Sequence, residues 1–383
     1  MTASSPRVAH LTSVHQVDDV RIFTKECRSL AAAGFEVTLV GPSETDRTID
    51  GVRIRGVPSG RGRLGRMIGT SWHVLRGSVA SGAKVCHFHD PELIPIGFAL
   101  KLLGRRVVYD VHEDCPRDIL TKDWVHPVIK RPLAAAMALL EATAGRLFDG
   151  IVAVTPTIAA RFPPSKTITL ANYPMLEEFP AVAETPYGER PFQICYVGHL
   201  SKARGLFDMV DAAEQVRGGG ARSLLLAGEF ASAAEEADAR ARAGWQRTEY
   251  LGWIDRTGIA RLMANACAGL VVLHPNRCFV DAYPIKMFEY MAAGLPVVAS
   301  DFPLYREILE DGRCGCLVPP ADPAALARAI EWIFDHPAEA REMGEHGRRR
   351  VERLYNWQVE REKLVSLYRR LAGVPSRYAP VDR

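Results

Sequence analysis

Residues 281–301 read DAYPIKMFEYMAAGLPVVASD. A proline and a glycine bracket an apolar stretch, and a second apolar run follows at once. Pro284 suits the first residue of a helix, where the N–H it lacks would go unpaired anyway. Gly294 suits the helix end, and Pro296 opens a strand with no polar face. Helix, tight turn and buried strand make one repeat of a parallel α/β sheet. The same stretch carries chemistry. The N–H groups of Ile285 and Lys286 fall in the first helical turn and form an anion site. Asp281 stands just before that turn and Glu289 lies inside the helix. Glu289 sits among Met287, Phe288, Tyr290 and Met291, so its carboxylate needs a partner. Ribose hydroxyls are one option, and Lys286, three residues away, is the other.

Upstream, YVGHLSKARGLFDMV (196–210) reads as a strand, a loop and a helix beginning near Gly205. The loop carries His199, Lys202 and Arg204. Basic side chains beside a helix N-terminus clamp phosphate. Alone, the loop reads more readily as a solvated turn. Beside the 281–301 helix, a diphosphate ligand accounts for both stretches.

The alternation extends in both directions. RVAHLTS (7–13), EVTLVGP, KVCHFHD, RRVVYDVHED and GIVAVTP read as strands, with helices over 19–33, through LIPIGFALKLLG and near 131–146. After a Pro- and Glu-rich break at 172–191, a second series runs from FQICYVGHL to AALARAIEWIF. A long polar helix is expected over 338–372. Two doubly wound Rossmann-like domains follow: 1–175 and 176–355, with a helix at about 356–383 packing back on the first. Ligands of such sheets bind beyond the strand ends. Asn172, His87-His89-Asp90 and His112-Glu113-Asp114 fall there in the first domain, which implies a central cleft faced by both.

The chain has 383 residues, 24% of them charged and 48% hydrophobic, the profile of a globular protein. A net charge of +3 demands no nucleic acid. No apolar run is long enough for a membrane span, and the opening residues do not read as a signal peptide, so a cytoplasmic protein is expected. The basic run 53–66 reads as a loop, compatible with a peripheral contact on an anionic membrane. The eight cysteines are scattered. Cys314 and Cys316 alone are close, and with no further ligand pair they do not make a zinc site.

Taken together these segments resemble the retaining GT-B glycosyltransferases of family four. Asp281 and Glu289, eight apart and followed by YMAAGLPVVASD, are similar to that family's E-x7-E segment. YVGHLSKARGL resembles its glycine–basic loop. HQVDDVRIFTKECRSLAAAGFEVTLV, FHDPELIPIG…VVYDVHED, GCLVPPADPAALARAI and NWQVEREKLVSLYRRL extend the likeness along nearly the whole chain. The resemblance implies a nucleoside-diphosphate-sugar donor, no metal or other cofactor, and an acceptor saccharide, lipid or small molecule. Either a monomer or a homodimer fits. Glu289 would bind the ribose and Asp281 the donor sugar, with Tyr283, Ile285 and Lys286 supplying contacts around the phosphate. Arg204 with His199 or Lys202 would neutralise the diphosphate. The base would rest near Trp253 and Ile254. His112 would stand by the reacting carbon, with Glu113, Asp114 and His15 toward the acceptor and Arg21 structural. Two departures stand out: Asp281 is shorter than the family's Glu, and Pro284 removes an N–H.

A second reading starts from VCHFHDPELIP (85–95). His87, His89, Asp90, His112, Glu113 and Asp114 are enough residues for a metal-dependent hydrolase. That reading leaves the 196–210 and 281–301 stretches unused, so the expectation is no metal, with His87 partly buried and His89-Asp90 shaping the cleft. A nucleotide-sugar epimerase and a non-catalytic binder on the same fold are further alternatives.

Overall fold

The computed structural model describes residues 5–60, 62–122, 125–179, 185–217, 223–276 and 279–374. It divides into two compact units, Met1–Asn172 with Gln358–Arg383, and Tyr173–Trp357.

The first unit is built on eight strands: β1 (Arg7–Leu11), β2 (Glu36–Pro42), β3 (Arg47–Ile49), β4 (Val52–Val57), β5 (Val85–Phe88), β6 (Arg106–Val111), β7 (Gly150–Ala153) and β8 (Thr167–Thr169). Their order is β3-β4-β2-β1-β5-β6-β7-β8. All neighbours are parallel except β3 and β4. The central strands are buried on both faces, which explains their unbroken apolar runs. On one face Phe88 stacks on Tyr109 and meets Phe148 edge-on. The basic run 53–66 is therefore no simple loop. Its first residues are β4, whose Val52 and Ile54 are buried, and Gly62–Gly65 opens a helical stretch that continues to Ser81.

The helix expected over 19–33 runs from Val20 to Ala32. Asp19 caps it, accepting from the Ile22 N–H at 2.9 Å. Its first two turns are widened: the Arg28 N–H reaches the Phe23 carbonyl, five residues back. The widening turns Arg21, Lys25 and Glu26 inward beside Ile22 and Cys27.

The long polar helix expected over 338–372 is two helices, Pro337–Leu354 and Trp357–Ala372. Asn356 breaks it: its Nδ2 donates to the carbonyls of Val351 and Glu352, both at 2.9 Å, closing the first helix. The second helix belongs to the first unit. There Glu360 accepts from the Ala171 N–H at 2.9 Å, and Tyr368 is fully buried.

The second unit carries β9 (Gln193–Val197), β10 (Ser223–Ala227), β11 (Thr248–Gly252), β12 (Ala268–Val271), β13 (Val297–Ser300) and β14 (Gly315–Val318). The order is β11-β10-β9-β12-β13-β14, wholly parallel. The helices Leu206–Gln215 and Pro323–Asp335 bury Leu206, Met209, Val210, Leu326 and Ile330 against it. The helix Ile285–Ala292 covers the sheet with Met287, Phe288, Tyr290 and Met291.

Candidate functional site

In the second unit, two loops at strand ends converge. β9 ends at Val197, and Gly198 takes φ +131°, so the chain turns out of the sheet. His199 and Lys202 are exposed, and Arg204 is half-buried, its guanidinium 5.5 Å from the Phe279 ring. Gly205, at φ +76°, leads into the Leu206–Gln215 helix. A Cβ there would lie 2.1 Å from the Val272 carbonyl oxygen, so only glycine fits.

The second loop enters the helix Ile285–Ala292 through Pro284. Pro284 caps this helix instead of forming its first residue, since its ψ of 104° is extended. Tyr283 packs 5.9 Å from Phe288, Ile285 is exposed, and Asp281 is exposed. Glu289 is buried, and its partner is not Lys286. Arg256 Nη1 donates to Glu289 Oε1 at 2.8 Å, and the same guanidinium pairs with Glu178. Sequence reasoning missed Arg256, which lies 33 residues from Glu289 and carries no motif.

Lys286 does something else. Its Nζ is shut off from solvent and has no hydrogen-bond partner among the described residues. It stands 3.6 Å from the centre of the Tyr196 ring, against Gly198, where a Cβ would lie 3.0 Å from Nζ. Burial, and then the nearby Arg204, hold its ammonium well below the usual lysine range. Two cations beside a helix N-terminus, one of them buried without a counter-ion, form an anion site. Trp253, 72% exposed, and Ile254 follow β11 in this unit.

In the first unit, the ends of β1, β5 and β6 bring together a buried polar network. His10 lies opposite His87 in the sheet register. His87 is not partly buried but fully so; His89 and Asp90 are also buried and line no open surface. Asp90 instead pins the turn after β1. It accepts from Thr12 Oγ1 at 2.8 Å and from the Ser13 N–H at 2.6 Å, and pairs with His15 Nδ1 at 2.8 Å. Burial opposes the charge on Asp90, but His15 and these donors outweigh it and hold its carboxyl low. The hydrogen bond to Asp90 in turn raises His15.

Asp110, on β6, is the hub. Arg21 grips it through Nη2 at 3.0 Å and Nε at 3.2 Å. His89 Nδ1 lies 3.1 Å and His112 Nε2 2.9 Å from its Oδ2. Burial opposes its charge, but Arg21, His112 and His89 together hold Asp110 well below the ordinary range. His112 is half-buried and its ring lies 5.3 Å from that of His15. Glu113 is exposed. Asp114 does not project freely: it caps the Cys115–Thr121 helix and pairs with Arg161 at 3.0 Å.

Two groups among the described residues have metal-ligating atoms within reach of a common ion: His10, Glu26, His87 and His89, and His89, Asp110 and His112. Neither includes Asp90, Glu113 or Asp114, which the hydrolase reading counted among its possible ligands, and neither holds His87 together with His112. The ring nitrogens between them are largely engaged: His10 Nδ1 lies 3.0 Å from His89 Nε2, and Tyr368 bridges His10 and His87 at 2.8 and 2.7 Å. Hydrogen bonding accounts for those contacts without an ion.

No helix among the described residues is long and apolar enough to cross a membrane. Residues 20–167 match the family model described as glycosyl transferase 4-like domain, and residues 181–350 match glycosyl transferases group 1. The chain is 25% identical to a glycogen synthase of Mycobacterium tuberculosis (strain CDC 1551 / Oshkosh) over 64% of its own length and 59% of the relative's. It is 30% identical to a phosphatidyl-myo-inositol mannosyltransferase of Mycobacterium leprae (strain TN), over 53% and 51%. The chain thus spans little more than half the length of these relatives. Among solved structures, sucrose-phosphate synthase from Thermosynechococcus elongatus shares the fold with a TM-score of 0.75 at 21% identity, covering 96% of this chain and 99% of that one. HepE of Anabaena, in complex with UDP-glucose, has a TM-score of 0.71 at 14% identity, covering 94% and 99%.

Proposed function

Because the chain belongs to the GT-B glycosyltransferases, with a family match in each half, we propose that it transfers a sugar from a nucleoside-diphosphate sugar to an acceptor hydroxyl, with retention of anomeric configuration. The observation that carries this is the buried, unpartnered Lys286 beside Arg204 at the head of the Ile285–Ala292 helix. That arrangement awaits an anion of concentrated charge, which a diphosphate supplies.

Glu289 takes the ribose hydroxyls, with Arg256 fixing its carboxylate in advance. Asp281 and Tyr283 attend the donor sugar, and the N–H groups of Ile285 and Lys286 its phosphate. His199 and Lys202 extend the cationic rim, and Trp253 and Ile254 flank the base. His112, Glu113 and His15 belong to the reacting end, while Asp114 serves the fold. As the glycosidic bond breaks, charge gathers on the leaving diphosphate, and Lys286, Arg204 and the helix end stabilise it. Protein cations suffice for that charge, so transfer proceeds without a metal. The acceptor is a saccharide, a lipid-linked saccharide or a small metabolite.

The metal-dependent hydrolase reading has no support in the matched families and is dropped. Thermal shift against UDP, GDP and dTDP identifies the donor base. Incubation with the matching nucleotide sugar then decides the reaction. Free nucleoside diphosphate together with a glycosylated acceptor is the expected result. An isomerised nucleotide sugar indicates an epimerase, and binding without turnover indicates a carrier; either would overturn the proposal.

A further inference from the structure

In the buried network of the first unit the Asp110 carboxylate sets where the imidazole hydrogens lie, and from this geometry we infer that Asp110 is a positioning residue that holds neutral His112 with its hydrogen on Nε2, leaving Nδ1 a bare acceptor. The inference rests on the glycosyl-transfer reading only for what that acceptor meets.

An ionised carboxylate has no hydrogen to give, so both imidazoles that touch Asp110 Oδ2 must donate to it. His112 therefore carries hydrogen on Nε2 and His89 on Nδ1. These two nitrogens lie 3.4 Å apart because they converge on one oxygen, and two donors cannot bond each other. His89 Nε2 is then bare and accepts from His10 Nδ1 at 3.0 Å. His10 Nε2 is bare in turn and accepts from the Tyr368 hydroxyl at 2.8 Å. The Tyr368 oxygen is left to accept from His87 Nδ1 at 2.7 Å. The chain ends at His87 Nε2, a lone pair buried without a donor among the described residues. The Glu26 carboxyl, whose oxygens are likewise buried without a hydrogen-bond partner among the described residues, stands beside this chain, 3.8 Å from His10 Nδ1 and 3.9 Å from His87 Nδ1.

Each ring other than His112 is closed from solvent. His112 alone reaches the surface, and its one uncommitted polar atom is Nδ1. In its neutral form an imidazole held this way accepts a hydrogen bond from a sugar hydroxyl. It gives no proton to the leaving group, because its one hydrogen is committed to Asp110. Asp110 thus orients the ring, and Arg21, gripping both carboxylate oxygens, orients Asp110.

Long-range proton–nitrogen NMR of the full chain labelled with nitrogen-15 histidine reads the tautomers directly. His112 is assigned by the signals lost in His112→Gln. Expected are Nε2–H for His112 and Nδ1–H for His89, His10 and His87. Nδ1–H on His112 would overturn the inference, whatever reaction the protein catalyses. So would zinc titration that displaced the His10 and His89 signals at one equivalent. In turnover, Asp110→Asn is expected to lower kcat at least tenfold with the nucleoside-diphosphate Kd unchanged, and Asp110→Glu to recover part of it. Equal losses in kcat and Kd would overturn a positioning role. If Asp110→Asn does not fold, Tyr368→Phe decides. It should free His87 from its single tautomer and leave His112 as it was; unchanged His87 signals would show that the chain is not connected.

Discussion

Lys286 is the residue whose behaviour departs most from its type. A lysine amine sealed over an aromatic ring without a counter-ion costs the empty protein stability, and the cost is recovered when an anion docks. Lys286→Met should therefore raise the melting temperature of the ligand-free chain while weakening nucleoside-diphosphate binding about 10- to 100-fold, the range of one charge-assisted hydrogen bond. Scanning calorimetry and titration calorimetry on the same two proteins check both signs. On the alkaline side, where burial strips the Lys286 ammonium of its proton earlier than an ordinary lysine, the wild type should also take up a proton as the diphosphate binds. Titrations in buffers of different ionisation heat reveal that proton, and its persistence in Lys286→Met would assign it elsewhere. Glu289→Ala is expected to abolish the thermal shift, and Arg204→Ala to weaken a diphosphate much more than a nucleoside. Part of this was legible in the letters: spacing alone marks the helix that follows Pro284, whereas the roles given to Glu289 and Arg204 came with the likeness to the family. The side chain of Lys286 was not, since its register suggested a pair with Glu289. The competing pair, Arg256 with Glu289, forms across two helices that no local pattern connects.

At the scale of elements, the strand ends do the positioning. β1, β5 and β6 lie side by side, so His10, His87, His89 and Asp110 share one face by register. The i, i+2 spacing of His87 and His89, and of Asp110 and His112, was readable as such. What was not readable is that β1 would present His10 to them, or that Tyr368, 281 residues from His87, would cover the group. Elements were found more readily than their breaks. Asn356, with neither proline nor glycine in the adjacent turn, gives no strong stop signal, yet its side-chain bonds end a helix. Asn356→Ala should cost about 1–3 kcal/mol, as two carbonyls lose a buried donor. A urea midpoint displaced to lower concentration at constant slope is the expected record, and an unchanged midpoint would show those bonds to be dispensable.

For the whole molecule, the buried imidazoles set a dependence on acidity. Burial lowers His10, His87 and His89, so the folded chain keeps them neutral. A group with a depressed histidine value contributes stability above its unfolded value of about 6.5, lost as the pH falls toward the folded one. Two groups act the other way: His15 is raised by Asp90, and Glu26 is raised by burial and Asp110. As the pH falls below about 6.5 the unfolded chain gains protons on His10, His87 and His89 that the folded chain takes up only at lower pH, while the raised His15 and Glu26 favour the folded chain. The three depressed imidazoles outnumber the two raised groups, and each proton bound by the unfolded chain alone is worth about 1.4 kcal/mol per pH unit. Unfolding free energy measured from pH 7 to 5.5 should therefore fall, and a flat profile would mean that the imidazoles titrate freely in the folded state.

The helix Trp357–Ala372 has one more consequence, and it concerns the order of manufacture. The second unit is an insertion: the chain leaves the first unit at Asn172 and re-enters it at Gln358. On the ribosome, the inserted unit is complete before the last helix has been made. The earlier sheet must meanwhile wait with His10 and His87 uncovered, until Tyr368 emerges to seal them. A nascent chain stalled before residue 358 should accordingly hold a protease-resistant second unit behind a vulnerable first one.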